Sequence, residues 1–277
     1  YQIKVSSKAN ANISTVYTVY FYYQGDVIPN GEFTEWEKAT YNNADKPVDW
    51  VVPASVADKF TQSYSFFGKS TYSTGKEVAK SDNGVKLSTR RSKTALGGFF
   101  PGMMGLGDMS VSFKNNDGTT SSITGGIPFR NTPDFFEVDY NYSEVKLNAN
   151  YNKNIHIACL FDDKVLAECK DKDANNTWKT FRDTMKFDAA PQEMNIILNA
   201  APTENAGDIC TSSVAFWEAG DDNSEASVLY VKSVRFEYSS TINSIKVNGV
   251  NATKNGNTFT AVLDYEGTPE LSFVGEV

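Results

Sequence analysis

Apolar and polar residues alternate with a period of two along much of this chain. The apolar positions are filled mainly by β-branched and aromatic side chains. Residues 13–23 read ISTVYTVYFYY, residues 135–147 read FFEVDYNYSEVKL, and residues 1–5 alternate in the same way. Successive side chains on a strand point to opposite faces, so this pattern predicts strands with one face buried. Residues 194–198 and 228–238 are more continuously apolar and predict interior strands. Turn signals fall between these runs. Asn115-Asn116-Asp117-Gly118 splits residues 106–124 into a hairpin, and Asp162-Asp163 joins 154–161 to 164–169. Helical periodicity is confined to residues 56–62 and 177–185, about two turns each. Gly102 to Gly107 (GMMGLG) reads as a flexible loop. Many short strands with frequent turns predict an all-β chain built as a jelly-roll β-sandwich.

The pattern also divides the chain. Residues 24–240 form one large block. The flanks, 1–23 and 241–277, carry short strands around Asn-Gly turns and are each too small to bury a core alone. They read as β-rich parts of small immunoglobulin-like domains. A stronger version pairs them into one small sandwich with the large block inserted between.

Composition narrows the partners. The 277 residues are 40% hydrophobic and 13% aromatic, enough for a sizeable core. The formal charge of −8 excludes a phosphate-binding nucleic-acid face, which needs clustered basic residues. No run of ~20 apolar residues is present to cross a membrane as a helix. The chain opens at Tyr1 directly on strand-like sequence, which reads as a processed or trimmed start. Three cysteines, Cys159, Cys169 and Cys210, leave at least one unpaired and match no zinc spacing; they read as buried thiols.

Several chemistries fail on their own requirements. Asp171-Lys172-Asp173-Ala174-Asn175 starts like a calcium loop, but Asn176 replaces the turn glycine and Arg182 the closing glutamate. The acids Glu218, Asp221, Asp222 and Glu225 read as a solvated turn. Gly68-Lys69-Ser70 lacks the upstream glycine of a P-loop, and no G-x-S-x-G elbow occurs. The single histidine, His156, lies mid-strand between isoleucines, with Cys159 on the opposite face. No catalytic residue is therefore assigned. Hydrolysis of a glycosidic bond would need two facing carboxylates. Glu32, Glu35 and Asp49 lie near aromatics, but 34 acidic residues make such neighbourhoods common.

Sugar binding asks for less: an aromatic face for the C–H side of a pyranose and polar groups for its hydroxyls. Of the four tryptophans, Trp36 and Trp50 fall in turn-rich sequence, each beside an acid, Glu35 and Asp49. Arg90 and Arg130 follow strand and turn sequence. These six are the candidate ligand-binding residues; the competing reading makes the tryptophans core or edge aromatics and the charges ordinary surface groups.

An ordered set of segments carries a family resemblance. IPNGEFTEW is followed by NGVKLSTR, a GGFFPG loop, GGIPFRNTPDFFEVDYNY, PQEMNIILNA and LYVKSVRFEY. Over about residues 26–239 the chain resembles the putative carbohydrate metabolism domain of Bacteroidetes surface lipoproteins. The resemblance implies a galactose-binding-like jelly roll with small immunoglobulin-like companions. It implies glycan capture at the outer-membrane surface or in the periplasm of a Gram-negative bacterium, with a lipid anchor upstream. Non-catalytic carbohydrate binding is the function expected, with a glycoside hydrolase and an adhesive protein without a small ligand as alternatives. Related jelly rolls hold a structural calcium ion where this chain has Thr34 and Lys232. The loss of one carboxylate and gain of a cation disfavour calcium here, and Lys232 is expected to replace the metal, paired with Glu32.

Overall fold

A computed structural model describes residues 1–10, 12–19, 27–64, 68–91, 99–114, 118–144, 155–200, 209–210, 225–238, 242–256, 258–264 and 270–276. The chain is nearly all β, a sandwich of several sheets without a barrel. It divides into two compact units. Residues 26–237 form one, and residues 1–25 with 238–277 form the other.

Two sheets face each other in the larger unit. The first has the strand order Asn175–Thr184, Phe135–Glu144, Glu225–Glu237, Gly84–Arg91, Val78–Ser81, with Phe99–Phe100 added beside Gly84–Arg91. The second has the order Met103–Leu106, Glu193–Asn199, His156–Phe161, Lys164–Cys169, with Ile127–Pro128 beside Glu193–Asn199. Alternation explains the packing. Phe136, Val138, Tyr140 and Tyr142 of one strand are buried in the same cluster as Val85, Leu87, Leu229 and Val231. Met104, Ile157, Cys159, Ile196 and Leu198 of the second sheet complete that cluster.

The two sheets differ on their outer sides. In the central strand Glu193–Asn199 every residue after Glu193 is buried. Ile197 packs there with Met103, Met109 and Ile123, the last two from the strands Asp108–Lys114 and Gly118–Thr124. A further small sheet thus covers the second sheet. The first sheet carries polar side chains outward: Glu137, Asp139 and Asn141 alternate with its inward aromatics.

A β-bulge sets this outer face. Asp139 opposes Ser233 while Tyr140 opposes Val231, so Lys232 is an extra residue. Val231 and Val234 are then both buried in the core cluster, and Ser233 and Arg235 both reach Asp139 on the other side. Gly84 accommodates the bulge. It has φ +119°, and a Cβ there would lie 2.2 Å from the Val231 carbonyl oxygen.

In the smaller unit the order is Ser14–Thr18, Gln2–Ser7, Thr258–Leu263, Thr253–Asn255, with the central pair parallel. A second sheet joins Val250–Asn251, Ser244–Val247 and Phe273–Glu276. Ile3 and Val5 share a core with Ile245, Val247, Phe259, Ala261 and Leu263. Residues from both ends of the chain therefore build one core.

Three sequence expectations are corrected. Residues 177–185 are not helical but belong to the strand Asn175–Thr184, whose backbone pairs with Phe135–Glu144. The helix expected at 56–62 is the single turn Pro53–Val56, and Lys59–Tyr64 is a strand. The glycine-rich GMMGLG segment is not a free loop: Met103–Leu106 is a fully buried strand. Its glycines serve close approach, since a Cβ on Gly102 would lie 2.3 Å from the Ser88 nitrogen.

Candidate functional site

The six sequence candidates do not form one constellation. Trp50 is corrected outright: it is 0% exposed, its ring centroid lies 5.4 Å from that of Phe33, and its indole N–H donates to the Pro29 carbonyl at 3.1 Å. A ring closed on both faces cannot stack on a ligand. Trp36 is half-buried and donates its N–H to the Phe33 carbonyl at 2.8 Å. Glu35 and Asp49 are exposed nearby, joined through the bond from the Val48 N–H to the Glu35 carbonyl.

The turn beneath them is structural. The Asn30 side chain donates to the Glu35 and Val48 carbonyls and accepts from the Glu35 N–H. A Cβ on Gly31 would meet the Val234 carbonyl oxygen at 2.2 Å. Arg90 lies elsewhere, on the Gly84–Arg91 strand. It donates to the Lys76 carbonyl at 2.9 Å and pairs with Glu225 at 3.5 Å. Arg130 is exposed beyond the Ile127–Pro128 strand.

The structure assembles a different surface on the outer face of the first sheet. Strand register sets Trp178, Asn141, Tyr230 and Lys86 in one row across four strands. Trp178 is 46% exposed. Two shallow hollows, about 300 Å³ and 280 Å³, share Trp178 and Asn83. Asp139, Lys179, Thr180 and Lys232 line the first. Ser81, Asp82, Asn141, Asn176 and Tyr230 line the second. Asn141 Oδ1 and Ser81 Oγ are buried with no hydrogen-bond partner, so the second hollow has unmet polar capacity. Asn176, with φ +55°, sits in the irregularity that separates the Asn141–Trp178 and Ser143–Asn175 pairings.

Charges around the hollows are largely tied down. Asp139 accepts from Thr180 Oγ1 at 2.6 Å, Arg235 at 2.9 Å and Ser233 at 3.2 Å. Glu137 bridges Arg235 and Arg182, and the Arg182 guanidinium lies 3.9 Å from the Phe135 ring centroid. Glu225 accepts from Lys86 at 2.6 Å and Ser88 at 3.0 Å. Burial raises its pKa, but the Lys86 bond and the other donors outweigh that and hold the carboxyl below its usual range.

The loop that begins like a calcium site receives an ammonium group. Lys179 donates to Asp171 at 2.7 Å, to the Asp173 carbonyl at 2.8 Å, and lies 3.4 Å from the Asp173 carboxylate. Tyr140 also donates to Asp171, at 2.8 Å. Burial raises the Asp171 pKa, yet the Lys179, backbone and Tyr140 bonds outweigh it and leave the carboxyl depressed. Among the described residues no group of three or more His, Cys, Asp or Glu side chains is arranged to hold a metal. The expected Lys232–Glu32 pair is not found: among the described residues no ion pair joins them, and Lys232 lines the first hollow instead. Glu218 and residues 221–224 lie outside the described residues, as does Trp217.

His156 is fully buried, and its Nε2 lies 2.7 Å from Glu168 Oε1. Burial lowers its pKa, only partly countered by Glu168. Cys159 is a buried free thiol, pushed well up by desolvation, and Cys169 is a half-buried one. Neither residue faces a hollow described above.

Sequence reasoning missed Trp178 although a signal was present. Asn176, Trp178, Thr180 and Arg182 occupy alternate positions, so Trp178 is an aromatic set on an otherwise polar strand face. Reading 177–185 as a helix dispersed that face.

Comparison with known proteins adds little. No family model matches the chain, and no curated protein does. One solved structure with distant similarity is described as a "putative glycoside hydrolase" from Bacteroides thetaiotaomicron VPI-5482, at 12% identity and a TM-score of 0.34. The match covers 68% of this chain and 59% of that one, so the chain spans less than two thirds of that protein's length. A likeness this distant carries no functional argument.

Proposed function

We propose that this chain is a non-catalytic glycan-binding protein that takes its ligand on the outer face of the first sheet. The observation that carries the reading is Trp178, 46% exposed between two polar hollows. A pyranose presents a C–H face to such a ring and hydroxyls to surrounding amides and carboxylates. Asn83, Asn141, Asn176, Asp139 and Thr180 supply that polar surround. The hollows are shallow, which fits micromolar to millimolar binding, on the order of −4 to −8 kcal/mol.

Binding is favoured over hydrolysis by the state of the acids. Asp139 has both oxygens engaged by three donors, and Asp82 lines the other hollow. A glycosidase pair needs one carboxyl ready to donate a proton and a second facing it across the bond. The resemblance to the carbohydrate metabolism domain of Bacteroidetes supports the same reading and extends it to a lipid-anchored protein capturing polysaccharide at the cell surface.

The test is a glycan array probed with the wild type, Trp178→Ala and Trp36→Ala, with a reducing-sugar assay on every glycan bound. Binding lost in the first variant and kept in the second supports the reading. Binding lost only in Trp36→Ala moves the site to the Glu35–Trp36–Asp49 turn. Sugar release by the wild type replaces binding with hydrolysis.

A further inference from the structure

The two hollows beside Trp178 are not electrically alike. In the first, Asp139 shares Arg235 with Glu137, and Lys179 is held between Asp171 and Asp173. Lys232 is exposed there, and among the described residues it has no ion-pair partner. The bulge that adds Lys232 to the strand puts this cation on the hollow beside the Trp178 plate. In the second hollow the charged side chain is Asp82, exposed and likewise without an ion-pair partner among the described residues. The shared rim is Asn83 and Trp178. One side of the plate therefore offers a lone positive charge, the other a lone negative charge among amides.

From this we propose that the groove selects a glycan in which an acidic sugar adjoins a neutral one. The anionic group, a carboxylate or a sulfate ester, lies against Lys232, and the neutral sugar donates its hydroxyls to Asp82. This deepens the proposed function and rests on it. A net-negative chain gains nothing from an acidic ligand at long range, so the preference has to come from the local charge. A polymer with an acid on every unit would bring a second anion against Asp82, and like charges in contact are penalised.

The test is titration calorimetry on the full chain with four oligosaccharide probes. Unsulfated chondroitin alternates a uronate with a neutral sugar, κ-carrageenan alternates a sulfated with a neutral sugar, polygalacturonate is acidic throughout, and cello-oligosaccharide is neutral. At least one alternating probe is expected to bind more tightly than polygalacturonate and the neutral probe. Chondroitin and carrageenan distinguish carboxylate from sulfate. Lys232→Met should weaken the alternating probe about tenfold, the worth of one charge-assisted hydrogen bond, and leave the neutral probe unchanged. Asp82→Asn should strengthen polygalacturonate. Both variants sit on exposed side chains, so unchanged melting temperatures confirm the fold.

Equal binding of neutral and alternating probes, or an unchanged Kd in Lys232→Met, overturns the inference while leaving glycan binding intact. Binding of no probe, or binding insensitive to Trp178→Ala, overturns the proposed function and this inference with it.

Discussion

Trp50 and Trp178 make opposite predictions, and the difference follows from exposure. A tryptophan side chain offers about 200 Å² of surface, within the usual ~150–250 Å². Trp178 leaves 46% of its area open, which is about 90 Å² available to a ligand. At ~25 cal/mol per Å², complete cover would contribute about 2 kcal/mol, and a sugar covering one face about 1 kcal/mol. Trp178→Ala should then weaken glycan binding by roughly fivefold to thirtyfold. The other half of the side chain is covered by the fold, so truncation should also lower stability by about 1–2 kcal/mol, less than at Trp50.

Trp50→Ala should do the reverse. It removes a fully buried ring packed on Phe33 and the hydrogen bond to Pro29, at a cost of about 3–5 kcal/mol. That is a large share of a stability of ~5–15 kcal/mol. Urea denaturation gives the stabilities, and calorimetry with the best array ligand gives the affinities. A stable Trp50→Ala variant that loses binding would refute the argument, as would a Trp178→Ala variant with wild-type affinity.

Lys179→Met should cost about 2 kcal/mol. The pair with Asp171 is mostly buried, between the ~0–1 kcal/mol of a surface bridge and the ~3–5 kcal/mol of breaking a buried one. Because the Asp171 pKa is depressed in the fold, the contribution is present above pH 3.8 and lost as pH falls below it, so the variant should show a flatter acid limb in denaturation from pH 5 to 2. His156 also has a depressed pKa. Its contribution is complete above pH 6.5 and declines as pH falls further, and urea melts between pH 7.5 and 5 should lose that component in His156→Gln. Removing residues 1–19 takes Ile3 and Val5 from the smaller core and exposes the edge of Thr258–Leu263; hydrogen exchange should show lost protection at residues 259–263.

Much of the fold was legible in the chain because a period of two is a local property. Phe136, Val138, Tyr140 and Tyr142 are inward because they alternate. The hairpin at Asp162-Asp163 forms because both residues take φ near +50 to +60°, 48° and 62°. Two elements were hidden. The strand containing Trp178 carries polar residues at nearly every second position, so its propensity alone does not separate strand from short helix. The GMMGLG run looks flexible until the close approach of Ser88 is known.

By itself, then, the sequence determined that the chain is all-β and which residues face inward in its strongly alternating strands, such as Phe135–Glu144. These follow from side-chain alternation and backbone sterics within a few residues. Tertiary structure alone decided that the two chain ends share one core, that Trp50 is sealed and Trp178 open, and that Lys179 reaches Asp171 and Asp173. Each of these depends on which strands become neighbours, and strand pairing is set by contacts between residues up to ~260 positions apart, whose energies no local pattern records.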